Sequence, residues 1–230
     1  MRGFERFFGV YITWFLRSSF AGVWIRSDAA SLPDSGYIAV GNHSSWWDGF
    51  VPFALHRAAQ PQRPFAIMMH HEQLVRFPIF RWGGAFSVDA RSPRSAKPAV
   101  DHAAGLAAAG CGVCIFPQGA LCPPNVPLVF TSAFAHAASA ANAPVVPVAM
   151  RFVFRRKQRP EILVDIGGPF AHAVRGLPKL AEVRVSQSLA QIDRDIAEDA
   201  VEERYRLVFA GSKGIDDRVA SALRLLAKHD

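Results

Sequence analysis

"YIAVGNHSSWWDGFVPFALH", residues 37 to 56, changes character twice. It starts as an apolar run from Tyr37 to Val40 and breaks at Gly41-Asn42. From Trp46 it resumes with apolar residues at helical spacing. His43 and Asp48 sit five residues apart across that break. On an unbroken helix, five steps of roughly 100° would leave the two side chains about 140° apart. On a strand, an odd offset sends them to opposite faces. They meet only if the chain turns between them, as a strand–loop–helix sequence requires. Ser44 or Ser45 is placed to cap the helix, with Asp48 in or near its first turn. A carboxylate on one imidazole nitrogen fixes the tautomer and leaves the other nitrogen to take a proton. On these residues alone, a structural histidine beside a capping aspartate is the competing interpretation. No GxSxG elbow accompanies the pair, so a serine-hydrolase triad is not indicated.

Working outward, further strand-like runs are "FAIMM" (65–69), "AFSV" (85–88), "GVCIF" (112–116), "VVPVAM" (145–150) and "EILVDI" (161–166). Helical patterns lie between several of them, at Trp46 to His56, about Ala96 to Ala109, and Phe130 to Ala141. The Ala-rich helix has Pro98 near its expected start, where a missing N–H costs little, and Gly110 at its end. This alternation predicts an α/β fold, a mixed, largely parallel sheet flanked by helices. Pro147 argues for an edge position or an irregularity. The Ala-, Leu-, Glu- and Arg-rich stretch from about 183 to 230 is expected to be a helical tail. Residues 29–230 read as a single domain, with 1–28 as a separate segment.

That first segment, "MRGFERFFGVYITWFLRSSFAGVWI", has only about half the apolar length of a spanning helix between Arg6 and Arg17. Glu5 and the lack of a small-residue cleavage site disfavour a signal peptide. Phe4, Phe7, Phe8, Tyr11, Trp14 and Phe15 recur at three- and four-residue steps, with Arg2, Arg6 and Arg17 available to headgroups. This predicts a membrane-interfacial helix. The alternative is a helix docked on the protein's own core. Half the chain is hydrophobic, with 18 Phe and 5 Trp, and the net charge is +7. That charge suits anionic lipid. Nucleic acid is not the expected partner, since there is no zinc-finger spacing, RNP-like segment or long basic run. Three cysteines fit a reducing compartment. Cys111 and Cys114 form a CxxC, but on a strand they face opposite sides, which excludes a redox or metal pair. "HHEQLV" (70–75) has Val75 where a zinc-protease helix needs a second histidine, and reads as a short amphipathic turn. No metal site is expected.

A second block, "CIFPQGALCPPN" (114–125), leaves another strand into a Pro- and Gly-rich loop. Together, "NHSSWWD" (42–48) and "FPQG" (116–119) resemble the glycerolipid acyltransferase family, which includes lysophosphatidate acyltransferases and carries NHx4D and FPEGTR-like blocks. "GGAFSVDARS" (83–92) is similar to the block between them and "APVVPVAM" (143–150) to the strand after them. The resemblance spans roughly residues 1 to 170. It implies transfer of a fatty acyl group from a thioester of coenzyme A or acyl carrier protein to a lipid hydroxyl, without a bound cofactor. His43 would be the general base and Asp48 its orienting partner. Asn42, Arg91, Arg94, Phe116, Pro117, Gln118 and Gly119 would contact substrate, with N–H groups near Gly119 stabilising the oxyanion. The expected setting is the cytoplasmic face of the cell membrane, with the protein peripheral or monotopic.

The third block departs from the family. Gln118 replaces its glutamate, and Ala120 and Leu121 replace the Thr-Arg that follows. In the family that arginine helps hold the acceptor's phosphate, and Leu121 cannot do so. Ala90 separates Asp89 from Arg91, leaving Arg91 or Arg94 as substitutes in uncertain register. A lysophospholipid such as 1-acylglycerol 3-phosphate remains the leading acceptor class. A glycolipid, carotenoid glycoside or other non-phosphate lipid alcohol is the alternative, and an inactive lipid-binding relative is the competing class. The basic cluster at Arg151, Arg155, Arg156, Lys157 and Arg159 reads either as a solvated hairpin or as a contact for anionic membrane or carrier protein.

Overall fold

The computed structural model describes residues 2–212, with side chains from residue 7 onward. The strands are β1 (Gly22–Arg26), β2 (Tyr37–Gly41), β3 (Phe65–His70), β4 (Ala85–Val88), β5 (Gly112–Ile115), β6 (Val145–Val153), β7 (Glu161–Ile166) and β8 (Tyr205–Ala210). The helices are α1 (Arg2–Ser19), α2 (Phe50–Ala59), α3 (His71–Arg76), α4 (Pro93–Ala108), α5 (Ala133–Ala141), α6 (Leu177–Ala197) and α7 (Val201–Arg204). The strands form one mixed sheet in the order β4-β3-β5-β2-β6-β7-β1-β8. From β4 to β6 every neighbouring pair is parallel, β6–β7 is an antiparallel hairpin, β1 runs parallel to β7, and β8 closes antiparallel to β1.

Strand alternation divides the interior in two. Ile38, Val40, Val113, Ile115, Val145 and Leu163 pack toward α4, α5 and α6. Tyr37, Ala39, Cys114, Val146, Val148 and Val164 pack toward α1 and α2. Central strands buried on both faces read as continuous apolar runs, as parallel sheets require. Cys111 and Cys114 fall into opposite layers, and both are free thiols.

Four sequence expectations need correction. Residues 22–26, assigned to the membrane segment, are a sheet strand between β7 and β8. The expected helical tail begins earlier, at Leu177, and breaks after Ala197, and residues 205–210 form β8; residues 213–230 lie outside the described residues. Pro147 is not at an edge, because β6 lies between β2 and β7. Its carbonyl accepts from the Gly167 N–H. A strand residue's C=O and N–H point the same way, so the missing donor faces β7 just beyond the last paired residue, Ile166. Finally, α4 starts at Pro93 behind a reciprocal Ser92–Ser95 cap, which leaves Pro98 inside the helix. There it removes the bond that would reach the Arg94 carbonyl.

α1 is docked on the protein's own core by one side and exposes apolar residues on the other. Phe8, Ile12 and Leu16 are buried in the α1–α2 layer, while Phe7, Val10, Tyr11 and Trp14 are exposed, Trp14 by 61 %. The Phe4 side chain lies outside the described residues. Phe8 sits against Gly83 of the 3-10 turn Pro78–Gly83, and Phe15 packs on Trp46 and Trp47. The exposed Ile79, Trp82 and Trp46 therefore extend the apolar surface around α1. Among the described residues, no helix is long and apolar enough to cross a membrane.

At the amino end of β2, Tyr37 Oη donates to His56 Nδ1 at 2.7 Å, and His56 Nε2–H donates to the Arg63 carbonyl at 3.1 Å. Burial holds the imidazole neutral and pushes its pKa down from 6.5 to about 4. An unfolded chain takes up this proton first as pH falls, so unfolding is favoured progressively from pH 6.5 to about 4. The loss should approach about 3 kcal/mol at full protonation. Denaturation measured across that window should give a steep slope for the parent and a shallower one for His56→Asn.

Candidate active site

β2 and β5 are neighbours in the parallel part of the sheet, and the chain leaves their carboxyl ends toward opposite faces. After β2 it enters α2 on one side, and after β5 it reaches α5 on the other. Open α/β sheets bind ligands in crevices of this kind. β2 ends on Gly41, and only glycine fits there, because a Cβ would lie 2.6 Å from the Val148 carbonyl oxygen. Beyond it, the Asn42 side chain continues the ladder. Its Nδ2 donates to the Met150 carbonyl at 3.0 Å, and its Oδ1 accepts from the Met150 N–H at 2.9 Å. Asn42 is buried with both side-chain polar atoms engaged by β6, so its hydrogen bonds fix the chain immediately before His43.

Ser45 is the N-cap of the 3-10 turn Trp46–Gly49, and Asp48 is its reciprocal partner. Asp48 Oδ2 accepts from the Ser44 N–H at 2.6 Å, the Ser45 N–H at 2.7 Å and His43 Nδ1 at 3.0 Å. The carboxylate is fully buried, while the His43 side chain keeps 24 % of its surface exposed. With Nδ1–H committed to Asp48, the unprotonated Nε2 can accept a proton. The other carboxylate oxygen, Oδ1, has no hydrogen-bond partner among the described residues. Cys114 lies close enough to Asp48 to feel its charge, but burial is the larger cause that pushes its thiol pKa up, so it stays protonated.

The β5 loop closes over the other side. The Phe116 ring stacks on the His43 imidazole, with centroids 4.4 Å apart and planes 12° from parallel. Gln118 Oε1 accepts from the His43 N–H at 2.7 Å, and the Cys122 N–H donates to the His43 carbonyl at 2.7 Å. Pro117 is turned inward, its carbonyl accepting from the Thr131 N–H and hydroxyl, both at 3.0 Å. Gly119 adopts φ 72°, a left-handed conformation that favours glycine, and its N–H donates to the Phe116 carbonyl. That N–H is thus occupied within the loop. His70, at the end of β3, contacts the Gly119 carbonyl.

Arg91 and Arg94 lie on the same rim but farther along it. β4 is three strands from β2, about 14 Å by ordinary strand spacing. Arg91 is 88 % exposed and pairs with Asp89, whose carboxyl it pulls down to about 2 through their hydrogen bonds. Arg94 is exposed in the first turn of α4. Leu121 is 55 % exposed. The basic cluster is largely spent inside the protein. Arg151 pairs with Asp193, Arg155 with Glu161 and Glu202, and Arg156 with Asp199, while Arg159 bonds the Ser18 carbonyl. Sequence reasoning missed the approach of Asp193 and Ser186 from α6, because no local pattern links them to β6. Among the described residues, no three His, Cys, Asp or Glu side chains gather to hold a metal ion.

The model of the family described as "Acyltransferase" matches residues 25–151. No curated protein matches the chain significantly. Among solved structures, the 1-acyl-sn-glycerophosphate acyltransferase PlsC of Thermotoga maritima aligns with a TM-score of 0.60 at 18 % identity. The alignment covers 83 % of this chain and 78 % of that one, and it establishes a shared fold.

Gln118 offers a direct test of the loop contact. Gln118→Ala removes the acceptor for the His43 N–H and should cut turnover by about one to two decades through misplacement of the imidazole. Gln118→Glu keeps the acceptor oxygen and should stay near the parent in the same steady-state assay.

Proposed function

Because this chain belongs to the Acyltransferase family, we propose that it moves a fatty acyl group from an acyl thioester, on coenzyme A or acyl carrier protein, to the hydroxyl of a monoacylated lipid. The observation that carries this reading is the His43–Asp48 pair at the crevice between β2 and β5, with the carboxylate buried and the imidazole partly exposed. His43 Nε2 takes the acceptor's hydroxyl proton as the oxygen attacks the thioester carbonyl. Asp48 stabilises the imidazolium that forms. Collapse of the tetrahedral intermediate breaks the C–S bond, and the imidazolium returns its proton to the departing thiolate. No enzyme nucleophile is needed, which suits Ser44 and Ser45 as donors to Asp48. The oxyanion is assigned to N–H groups that follow Gly119 in the loop, since that of Gly119 is occupied.

The acceptor class follows first from likeness. The Thermotoga protein is described as acting on 1-acyl-sn-glycerophosphate, and a lysophospholipid is the leading reading for this chain. A second reading, a lipid alcohol without phosphate, is supported by Leu121 and by the pairing of Arg91 with Asp89. The exposed face of α1, with Trp46, Ile79 and Trp82 around it, supports peripheral attachment to a membrane, here assigned to the cytoplasmic face. The paired basic cluster contributes little to such attachment.

In a purified assay with thioester donor and lysolipid acceptor, His43→Ala should lower turnover by about 10² to 10⁴ while the fold persists. Near-normal turnover would remove His43 as the base. Membrane attachment is tested separately. Val10→Ser with Trp14→Ser leaves the buried side of α1 intact and should reduce co-sedimentation with anionic vesicles. Unchanged sedimentation would place the contact elsewhere.

A further inference from the structure

Beside His43 lies a cleft of about 250 Å³ between the loop 122–128 and α6. Asn42 and Ser44, the neighbours of His43 in the chain, both line it, as does Gln118, which holds the His43 N–H. A group seated there therefore touches the residues on either side of His43 in the chain. The charged lining residues are Arg151 and Asp193, bound side-on with Nε to Oδ1 at 2.8 Å and Nη2 to Oδ2 at 2.7 Å. Ser186, about two turns before Asp193 on the same face of α6, adds a hydroxyl that donates to the Glu182 carbonyl.

We propose that this cleft is the acceptor's headgroup subsite and that it takes an uncharged polyol, such as a glycosyl group presents, in preference to a phosphate; this rests on the acyl-transfer reading above and takes the second of its two acceptor classes. The ion pair is neutral as a unit. A phosphate entering the cleft would sit beside the Asp193 carboxylate or have to displace it from Arg151. A hydroxyl donates and accepts at once, so adjacent hydroxyls match a carboxylate acceptor and guanidinium donors together. Two of the five guanidinium N–H groups are engaged by Asp193, which leaves others for the ligand.

The test uses the full chain, one acyl thioester donor, and two acceptors with the same acyl chain: a monoacyl glucosylglycerol and 1-acylglycerol 3-phosphate. The parent should use the glucosyl acceptor with a kcat/KM at least equal to that of the phosphate acceptor. Asp193→Asn frees Arg151, so KM for the glucosyl acceptor should rise about tenfold while KM for the phosphate acceptor falls. Ser186→Phe fills the cleft with the ion pair intact and should raise KM for the glucosyl acceptor. Thermal melting checks that both variants fold, and a merely structural role for Asp193 would move both acceptors alike. A parent preference for the phosphate acceptor overturns the proposal, as does an acceptor ratio unmoved by both variants. Absence of transfer to any acceptor overturns the acyl-transfer reading, and this one with it.

Discussion

Asp48 keeps its charge away from solvent, and the loop that carries His43 takes its shape from three N–H groups converging on one carboxylate oxygen. A buried ion costs several kcal/mol unless hydrogen bonds replace its water. Here the replacements come from the backbone of residues 44 and 45 and from the imidazole itself. Satisfying the charge therefore fixes three successive residues at once. The same contacts begin the 3-10 turn that leads into α2, so the placement of His43 and the start of that helix are one structural event.

The other half of the site is supplied from 75 residues away in sequence. Gln118 and the Cys122 N–H grip the two sides of the His43 peptide, and Phe116 lies flat on its ring. This works because β2 and β5 are parallel neighbours whose loops leave in opposite directions and so face one another across a gap. Long-range strand pairing comes first in the chain of causes. The hydrogen bonds of the site only fasten what the sheet has already brought together.

Much of this was legible in the sequence because it depends on local pattern. Six contiguous strands, from the edge strand β4 to β7, were visible as apolar runs, and the His43–Asp48 encounter followed from the break at Gly41-Asn42. β1 and β8 were hidden, because β1 continues the apolar stretch of the first segment and β8, buried only at Tyr205 and Phe209, lies inside a helix-like composition. Pro147 misled because the rule concerns ladder donors, and here the missing donor lies beyond the end of the partner strand. Asn42 and Gln118 were recognisable as important. Their partners, the Met150 backbone and the His43 N–H, are tertiary contacts with no sequence signature. The pairing of Arg151 with Asp193 spans 42 residues and two elements, and was invisible for the same reason.

Ser186, Leu189, Ala190 and Asp193 follow one another at steps of three, one and three, so a single stripe of α6 forms a wall of the cleft. The proton-handling residues belong to a different part of the chain, the β2–α2 loop. Two functions held by separate elements can vary separately. Substitutions along that stripe can redraw which lipid is accepted without disturbing Asp48 or the imidazole it orients. A lineage built on this scaffold can therefore change its product by altering one helix face while its chemistry stays the same.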